Sequence, residues 1–263
     1  AVVVYEARSA NSVLTALTMT HFPMDRVIRV DSESKGLPYS DLLVSSPFNE
    51  ASPVEDKDIC LMLYTSGTTG RPKGVPRSYA AERNASLGCV AQLHYQYGEV
   101  TLGVMPLFHT MGIRSLIMSA MLNGKFVCMP AYDTKDALTL IDKEKISALF
   151  LVPTMFHDIV HHSDFDKFDL KSVINIAYAG MSMTTALVES CAKTFPGAAF
   201  SNFYGSSEIY TFAVRNNLAN NPGSAGRAGI GQTLRVVRAD AEEHVDPDEI
   251  VPVGETGEII ASM

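Results

Sequence analysis

A run of eleven residues, Tyr64 to Gly74, combines the side chains that bind phosphate groups. It reads YTSGTTGRPKG and contains three glycines, four small hydroxyl side chains and one lysine. Glycine lets backbone N–H groups approach an anion, hydroxyls donate hydrogen bonds to phosphate oxygens, and lysine supplies a positive charge. The glycines lack the spacing G-x-x-x-x-G-K-[ST], which disfavours a P-loop kinase or GTPase. We predict a phosphate-binding loop, against the alternative of a turn without a ligand, from Thr65, Ser66, Gly67, Thr68, Thr69, Gly70 and Lys73.

Three further segments follow predicted strands and carry polar or aromatic side chains. They read MPLFHTMG (105–112), AYAGMSMT (177–184) and NFYGSSE (202–208). Taken alone, each has an ordinary structural interpretation. A histidine beside apolar residues is more often a satisfied core residue than a catalytic one, and an isolated Y-G-x-x-E is typical of a turn with a solvated glutamate. Their significance depends on whether they occur together in a known order.

The run from Tyr64 to Gly74 resembles the signature phosphate loop of the acyl-adenylate-forming superfamily, which includes acyl- and aryl-CoA ligases, luciferases and peptide-synthetase adenylation domains. The three other segments match that superfamily's motifs in the same order. The resemblance runs from about Ile59 to the end of the sequence, and it is closest to aryl-CoA ligases of the 4-chlorobenzoate and benzoate type.

The resemblance implies a nucleotide site. Tyr204 would stack on adenine, Glu208 would hold Mg²⁺ against the phosphates, and Ser207 would keep the hydroxyl where threonine is usual. An aromatic face suits a purine, and a hard carboxylate oxygen suits Mg²⁺. The implied catalytic residues are Lys73, Ser207 and Glu208. The implied nucleotide-binding residues outside the phosphate loop are Gly180, Met181, Asn202, Tyr204, Gly205 and Ser207.

The resemblance also implies an acyl pocket. It is mostly apolar with a few polar groups, as a benzoate-like or alicyclic acid requires. No acidic residue stands at the matched positions, which disfavours amino-acid activation. His109 is expected to line the pocket without acting as a base, because a carboxylic acid is already ionised near neutral pH. The pocket residues are Leu87, His109, Thr110, Met111, Phe150, Ala179, Phe203, Gly205, Tyr210 and Thr211.

Two other interpretations of the polar residues remain open. The segment from Gly180 to Thr184 nearly forms the G-x-S-x-G nucleophile elbow, with Ser182 as the serine of a hydrolase, but the last glycine is missing. His157 and His161 stand four residues apart, as in an HExxH zinc site, but Asp158 replaces the glutamate and no third ligand is evident. A solvated helix end explains these histidines better than zinc.

Composition narrows the function classes further. The 263 residues are 46% hydrophobic, and their formal net charge of −8 disfavours binding to nucleic acid or to an anionic membrane surface. No apolar stretch approaches the ~20 residues that span a bilayer. The four cysteines form no CxxC pair, which favours a reducing compartment, and we expect a cytoplasmic protein.

The elements that must position these motifs alternate between apolar runs and segments of helical period, which predicts an α/β fold of largely parallel βαβ sheets with an antiparallel β segment near the C-terminus. Predicted strands are 2–5, 26–30, 59–64, 100–105, 126–129, 148–152, 173–178 and 199–203, with antiparallel strands at 233–238 and 258–261. Predicted helices are 9–19, 78–95, 112–122, 134–144, 154–162 and 184–194.

Three regions follow from this organisation. Residues 1–58 form a partial βα subdomain ending in a connector rich in serine, proline and acidic residues. Residues 59–210 form the nucleotide- and acyl-binding core, and residues 211–263 form a truncated β-rich segment. Both ends of the sequence read as cut, so we expect a piece of a longer polypeptide whose mobile C-terminal domain is absent. We expect this piece alone to make no acyl-CoA.

The resemblance implies a function for the parent enzyme. It would activate an aromatic or alicyclic carboxylic acid with ATP and Mg²⁺, and then form a thioester with CoA. Its partners would be these small molecules, with no nucleic acid and no membrane span. A non-catalytic nucleotide-binding fragment is the alternative for the piece itself.

Overall fold

The computed structural model of the chain describes residues 1–31, 35–43, 53–66, 70–239 and 245–262. These residues divide into two compact units, 1–54 and 55–263. The first unit is a three-stranded parallel sheet with a crossover helix, and its small core contains Tyr5, Leu17 and Val27. Its elements are β1 (Val3–Tyr5), α1 (Ala10–Met19), β2 (Val27–Arg29), β3 (Leu37–Pro38) and α2 (Tyr39–Leu42).

The second unit contains two β-hairpin-like pairs and one seven-stranded sheet. In chain order its elements are β4 (Ile59–Thr65), β5 (Lys73–Ser78), α3 (Tyr79–Leu93), β6 (Val100–Gly103), α4 (Thr110–Met121), β7 (Lys125–Cys128), α5 (Thr134–Glu144), β8 (Ala148–Leu151), α6 (Pro153–Val160), β9 (Asn175–Tyr178), α7 (Thr185–Thr194), β10 (Ala199–Tyr204), β11 (Ala213–Asn216), β12 (Arg227–Ala228), β13 (Thr233–Val237) and β14 (Glu258–Ser262).

The large sheet confirms the predicted α/β fold. Its strand order is β12-β11-β10-β9-β8-β6-β7, in which β7, β6, β8, β9 and β10 are parallel and β11 and β12 add antiparallel strands at one edge. Strands β8 and β9 are fully buried, as expected for parallel strands that are covered on both faces. The predicted helices begin and end within a few residues of those observed.

Side chains along the central strands point alternately to the two faces of the sheet, and each face has its own part of the hydrophobic core. Leu149 and Leu151 of β8 pack in a cluster with α5, α6 and α7. Phe150 of the same strand packs in a second cluster with Phe203 of β10 and with residues of α3 and α4. Because successive strand residues point to opposite faces, every second residue of β8, β9 and β10 faces α3 and α4.

The phosphate-loop segment differs from the prediction. The sequence predicts that it follows a buried strand and leads into a helix. In the structure only Leu63 of β4 is buried, and β4 pairs antiparallel with β5, so the segment connects two strands of a hairpin. Thr65 lies opposite Lys73. Strand β5 is absent from the predicted elements, because Gly74 and Pro76 are residues that strands usually exclude.

Two other parts of the chain also differ from the prediction. Strands β11 and β12 are additional to the predicted elements, although the pair β13 and β14 confirms antiparallel strands near the C-terminus. Within the predicted connector 31–58, the structure contains β3 and α2, because Leu37 and Pro38 pair with β2. Among the described residues, no helix is both long enough and apolar enough to cross a membrane.

Candidate functional site

A cavity of about 400 Å³ opens where β9 and β10 end. The loop after β9 contributes Gly180 and Met181, and β10 with the turn after it contributes Asn202, Tyr204 and Gly205. These are all the nucleotide-binding residues predicted outside the phosphate loop, apart from Ser207. Carboxyl ends of parallel strands are the usual place for ligand binding in open α/β sheets. We call this space the nucleotide cavity, after the role that the sequence predicts for these residues.

The turn after β10 is tightly constrained. A Cβ atom on Gly205 would lie 1.9 Å from the backbone oxygen of Tyr210, so any side chain there would force the backbone of the turn to shift. The backbone N–H of Phe212 donates to the Tyr204 carbonyl oxygen at 2.7 Å, and the Phe212 ring meets the Tyr204 ring edge-on with centroids 5.4 Å apart. These contacts hold the half-exposed Tyr204 ring at the cavity.

The same turn meets the start of helix α4. The hydroxyl oxygens of Ser207 and Thr110 are 3.3 Å apart. Thr110 is the first residue of α4, and the Nδ1 atom of His109 accepts a hydrogen bond from the Met111 N–H, so His109 caps the helix. The histidine ring is exposed and engaged as a cap, a position that does not suit a base acting on a buried acid.

A second, smaller cavity of about 30 Å³ lies on the α3 and α4 face of the sheet. The rings of Phe150 and Phe203 lie against each other with centroids 5.7 Å apart. Three predicted pocket residues do not line this cavity, namely Leu87, which is 49% exposed, His109 and Gly205. We call this space the acyl cavity, after the role that the sequence predicts for most of its walls. The predicted residues that line it are Thr110, Met111, Phe150, Ala179, Phe203, Tyr210 and Thr211.

The charged residues of the predicted site are exposed. Lys73, at the start of β5, and Glu208 make no ion pair or side-chain hydrogen bond within the described part of the chain. Gly70 has a φ of 76°, the left-handed region that glycine tolerates. Thr65 is the last residue of β4 and Ser66 follows it, whereas Gly67, Thr68 and Thr69 lie outside the described residues.

A buried charged cluster connects the hairpin to the turn after β10, and sequence reasoning missed it. Arg77 of β5 donates from Nε to the Glu82 carboxylate at 2.8 Å and from Nη1 to the Glu208 backbone oxygen at 2.7 Å. Both side chains of the Arg77–Glu82 pair are about 95% buried. This arginine therefore holds the backbone of Glu208 beside the phosphate-loop hairpin.

Two guanidinium groups lie over the ring of Tyr210. The Cζ atom of Arg77 is 4.1 Å and that of Arg114 is 3.8 Å from the ring centroid, which is within the range of cation–π attraction. Burial raises the pKa of the Tyr210 hydroxyl, and Glu82 raises it further. The phenol is therefore neutral at physiological pH. The sequence contains one signal for this cluster, namely Arg114 within the otherwise mostly apolar predicted helix 112–122.

The two alternative sites do not assemble in the described residues. Ser182 is exposed, lines the nucleotide cavity and has no hydrogen bond to a histidine or carboxylate there. His157 and His161 stack with ring centroids 4.4 Å apart at an exposed helix end, and His161 Nδ1 hydrogen-bonds the His157 backbone oxygen. No group of three metal-ligating side chains occurs in the part of the chain that the structure describes.

A family model and several curated proteins match the chain. The family described as AMP-binding enzyme matches residues 2–262, so the match extends upstream of Ile59, where the motifs begin. The chain is 31% identical over 197 residues to 4-chlorobenzoate–CoA ligase of Pseudomonas sp. (strain CBS-3), covering 72% of the chain and 36% of that protein. It is 30% identical over 217 residues to feruloyl-CoA synthase of Amycolatopsis sp., covering 80% and 42%.

Solved structures share the fold. The anthranilate CoA ligase AuaEII in complex with anthranoyl-AMP superimposes with a TM-score of 0.85 at 22% identity, covering 99% of this chain and 49% of that one. A luciferase-like enzyme from the mealworm Zophobas morio gives a TM-score of 0.85 at 20% identity, covering 99% and 61%. The chain thus spans 36–42% of the length of the two curated relatives above.

Proposed function

We propose that this chain, which belongs to the family of AMP-binding enzymes, carries the nucleotide- and acyl-binding face of an AMP-forming acid–thiol ligase. A carboxylate oxygen of the acid attacks the α-phosphorus of ATP, which releases pyrophosphate and leaves an acyl-adenylate. The thiol of CoA then attacks the acyl carbon, and AMP leaves as the thioester forms.

The adjacency of the two cavities is the observation that carries this proposal. Phe203 lines both, and Ala179 of the acyl cavity is followed directly by Gly180 of the nucleotide cavity. The hydroxyls of Thr110 and Ser207, which face each other at 3.3 Å, belong to the same region. An acid in one cavity and a nucleotide in the other would therefore meet end to end, which is the arrangement that joining them requires.

The residues that the sequence predicts to bind the nucleotide have separate roles in this function. Tyr204 stacks on adenine, and Gly205 lets the turn after β10 close tightly against the backbone of Tyr210, which keeps Tyr204 in place. Ser207 donates its hydroxyl hydrogen to an oxygen of the α-phosphate or of the acid. The phosphate loop, from Thr65 to Gly70, and Lys73 hold the β- and γ-phosphates, so charge that develops on the leaving pyrophosphate is neutralised.

The carboxylate of Glu208 is a suitable ligand for Mg²⁺. Its exposed carboxylate has no ion-pair partner in the described residues, and a Mg²⁺ site commonly uses one or two carboxylates together with substrate phosphates and water. When bound, Mg²⁺ would neutralise phosphate charge and polarise the phosphorus–oxygen bonds. Arg77 holds the Glu208 backbone through the hydrogen bond to its carbonyl oxygen and leaves the carboxylate available for the metal ion.

The residues around the acyl cavity suit an aromatic or alicyclic acid, which would also occupy the adjoining space beside Tyr210. Its walls include the two facing rings of Phe150 and Phe203 and the side chain of Met111. No acidic residue lines it in the described part of the chain, and an α-amino group would need such a partner. The relatives named above act on chlorobenzoate and ferulate according to their names, which supports an aromatic acid for this protein as well.

Pyrophosphate release tests the proposed function. The complete protein would be incubated with ATP and Mg²⁺ and either benzoate, cyclohexanecarboxylate or palmitate, and thioester formation would be followed after CoA is added. We expect release with the two ring acids and little with palmitate. Tight binding of ATP without release from any acid would support the non-catalytic alternative, and a preference for palmitate would overturn the assignment of substrate class.

A further inference from the structure

Arg114 is a buried cation without a counter-ion. Its side chain is 98% buried in the apolar interior between α3 and α4. One nitrogen, Nη1, donates to the Ala85 backbone oxygen at 2.8 Å and contacts Cys89 Sγ at 2.9 Å. The other two nitrogens, Nε and Nη2, are buried and have no hydrogen-bond partner in the described residues. Burying a charge in this way costs free energy unless an anion binds.

The surrounding residues do not neutralise Arg114. Glu82 is the acidic member of the cluster, and it is paired with Arg77 at 2.8 Å. Two arginines and one glutamate leave the cluster with a net charge of +1, one carboxylate short of balance. The aromatic face of Tyr210 stabilises the guanidinium only in part, and the raised pKa of its hydroxyl keeps the ring from becoming an anion.

Arg114 lies where the distal end of an acid would reach. It follows Thr110 by four residues on α4, so it stands about 6 Å further along the helix axis on the same face. Thr110 marks the reacting end through its contact with Ser207. Both residues line the acyl cavity. This separation along the helix is similar to the distance between two carboxylates on opposite sides of a single ring.

A neighbouring cavity gives the distal group room. A space of about 270 Å³ shares four lining residues with the acyl cavity, namely Cys89, Arg114, Tyr210 and Thr211. Its other walls include the amide side chains of Asn84, Gln92 and Gln232, which can donate hydrogen bonds. Within the described residues, neither cavity has an acidic residue in its wall. The acyl cavity is too small for a ring acid unless the acid extends past Tyr210.

We propose that the acyl site takes a ring-sized dicarboxylic acid, whose second carboxylate binds Arg114. This inference rests on the proposed function, and it narrows the substrate from an aromatic or alicyclic acid to one with an anionic group at the end opposite the reacting carboxylate. The second carboxylate supplies the missing counter-ion and accepts hydrogen bonds from Nε and Nη2, since arginine and carboxylate match in bidentate geometry.

Direct binding of matched acids tests this inference without relying on catalysis. Isothermal titration calorimetry of the complete protein, with ATP replaced by a non-hydrolysable analogue, would compare benzene-1,3- and benzene-1,4-dicarboxylate with their monomethyl esters and with benzoate. The ester keeps the shape of the diacid and removes the distal charge. We expect at least one diacid to bind tenfold or more tightly than its ester. In Arg114→Met the ratio of the two dissociation constants, ester over diacid, should fall to near one.

A matched control separates local from general charge effects. Arg83 lies on α3, is exposed and pairs with Asp56, so Arg83→Met removes the same charge outside the cavities and should leave the ratio of diacid to ester unchanged. Arg114→Lys should retain part of the preference. If Arg114→Met fails to fold, the comparison of diacid with ester in the unmodified protein still decides the question.

The possible outcomes distinguish the two proposals. A diacid preference that depends on Arg114 supports the subsite, whether or not pyrophosphate is released. Pyrophosphate release from benzoate together with equal binding of diacid and ester overturns the subsite and leaves the proposed function standing. Binding of a diacid with no release from any acid supports the subsite and contradicts the ligase function.

Discussion

The hydroxyl groups of Thr110 and Ser207 lie 3.3 Å apart, although 97 residues separate them in the chain. Thr110 begins helix α4 and lines the acyl cavity, whereas Ser207 belongs to the turn after β10, which contributes Gly205 to the nucleotide cavity. Two hydroxyls at this distance can both donate to a third oxygen, because each is donor and acceptor at once. The point between them is where we place the oxygen shared by acid and α-phosphate.

Removing the Ser207 hydroxyl should therefore slow adenylation. Ser207→Ala is expected to reduce kcat/KM for pyrophosphate release about tenfold or more, since a hydrogen bond to a charged group contributes about 1.5–3 kcal/mol. Ser207→Thr retains the hydroxyl and should retain most of the rate, which makes it the matched control. Steady-state kinetics with benzoate as the varied acid measures both. Equal rates for the alanine and threonine variants would contradict the role.

Glu208 and Lys73 should act on the nucleotide and not on the acid. Glu208→Gln is expected to shift the Mg²⁺ concentration for half-maximal rate upward, because the amide oxygen carries no charge. Lys73→Ala should raise the KM for ATP or lower kcat while leaving discrimination among acids unchanged. Lys193→Ala removes an exposed lysine of α7 and serves as the control. An unaltered Mg²⁺ titration for Glu208→Gln would remove it from the proposed metal site.

The two buried arginines should respond oppositely to substitution. Arg77→Met leaves Glu82 buried without its partner, so the free energy of unfolding should fall by about 3–5 kcal/mol. Arg114→Met removes a cation that has no counter-ion, so the free energy of unfolding should stay unchanged or rise by about 1 kcal/mol. Urea unfolding of both variants measures this difference. A large loss of stability for Arg114→Met would indicate that its bonds to α3 are chiefly structural.

Two glycines offer a matched test of the turn after β10. Gly205→Ala places a Cβ atom 1.9 Å from the Tyr210 backbone oxygen and should cost about 1–3 kcal/mol of stability while weakening ATP binding. Gly88 lies inside helix α3, and a Cβ atom there meets nothing closer than 4.0 Å. Gly88→Ala should raise stability by about 1 kcal/mol through helix propensity. Similar stability for the two variants would show that the turn can relax.

Stability should fall at alkaline pH because of Cys191. Burial raises the pKa of this thiol from 9.0 to about 12, so between these values the unfolded chain releases a proton that the folded chain keeps. The unfolded state then binds fewer protons, and stability falls as pH rises. From pH 9 to pH 10 we expect a loss of about 1 kcal/mol from this thiol.

Cys191→Ala tests the assignment. The variant starts from a lower stability because it leaves a cavity, but its dependence on pH between 9 and 10 should be flatter than that of the unmodified protein. Urea midpoints at closely spaced pH values give the slope. Two parallel slopes would assign the alkaline loss to other groups, such as Cys60, whose pKa burial also raises.

The sequence by itself determined the parallel strands of the large sheet and the helices beside them, because their signals are local. Apolar runs predicted β6 to β10 within a few residues, and helical periods predicted α3 to α7. The glycine, hydroxyl and lysine content of the phosphate loop indicated a phosphate ligand through residue types alone. The order of four motifs also indicated the family that the comparison confirmed.

The tertiary structure alone decided what surrounds those motifs. Arg77 reaches the Glu208 backbone across 131 residues, and Arg114 lies over Tyr210, because the hairpin, α3 and α4 pack together on one face of the sheet. Periodicity can predict that a helix has an apolar face, but it cannot predict which distant residue that face meets. The unpaired buried charge of Arg114 arises only at such a meeting, since burial and the lack of a counter-ion among the described residues depend on neighbours that are remote in sequence.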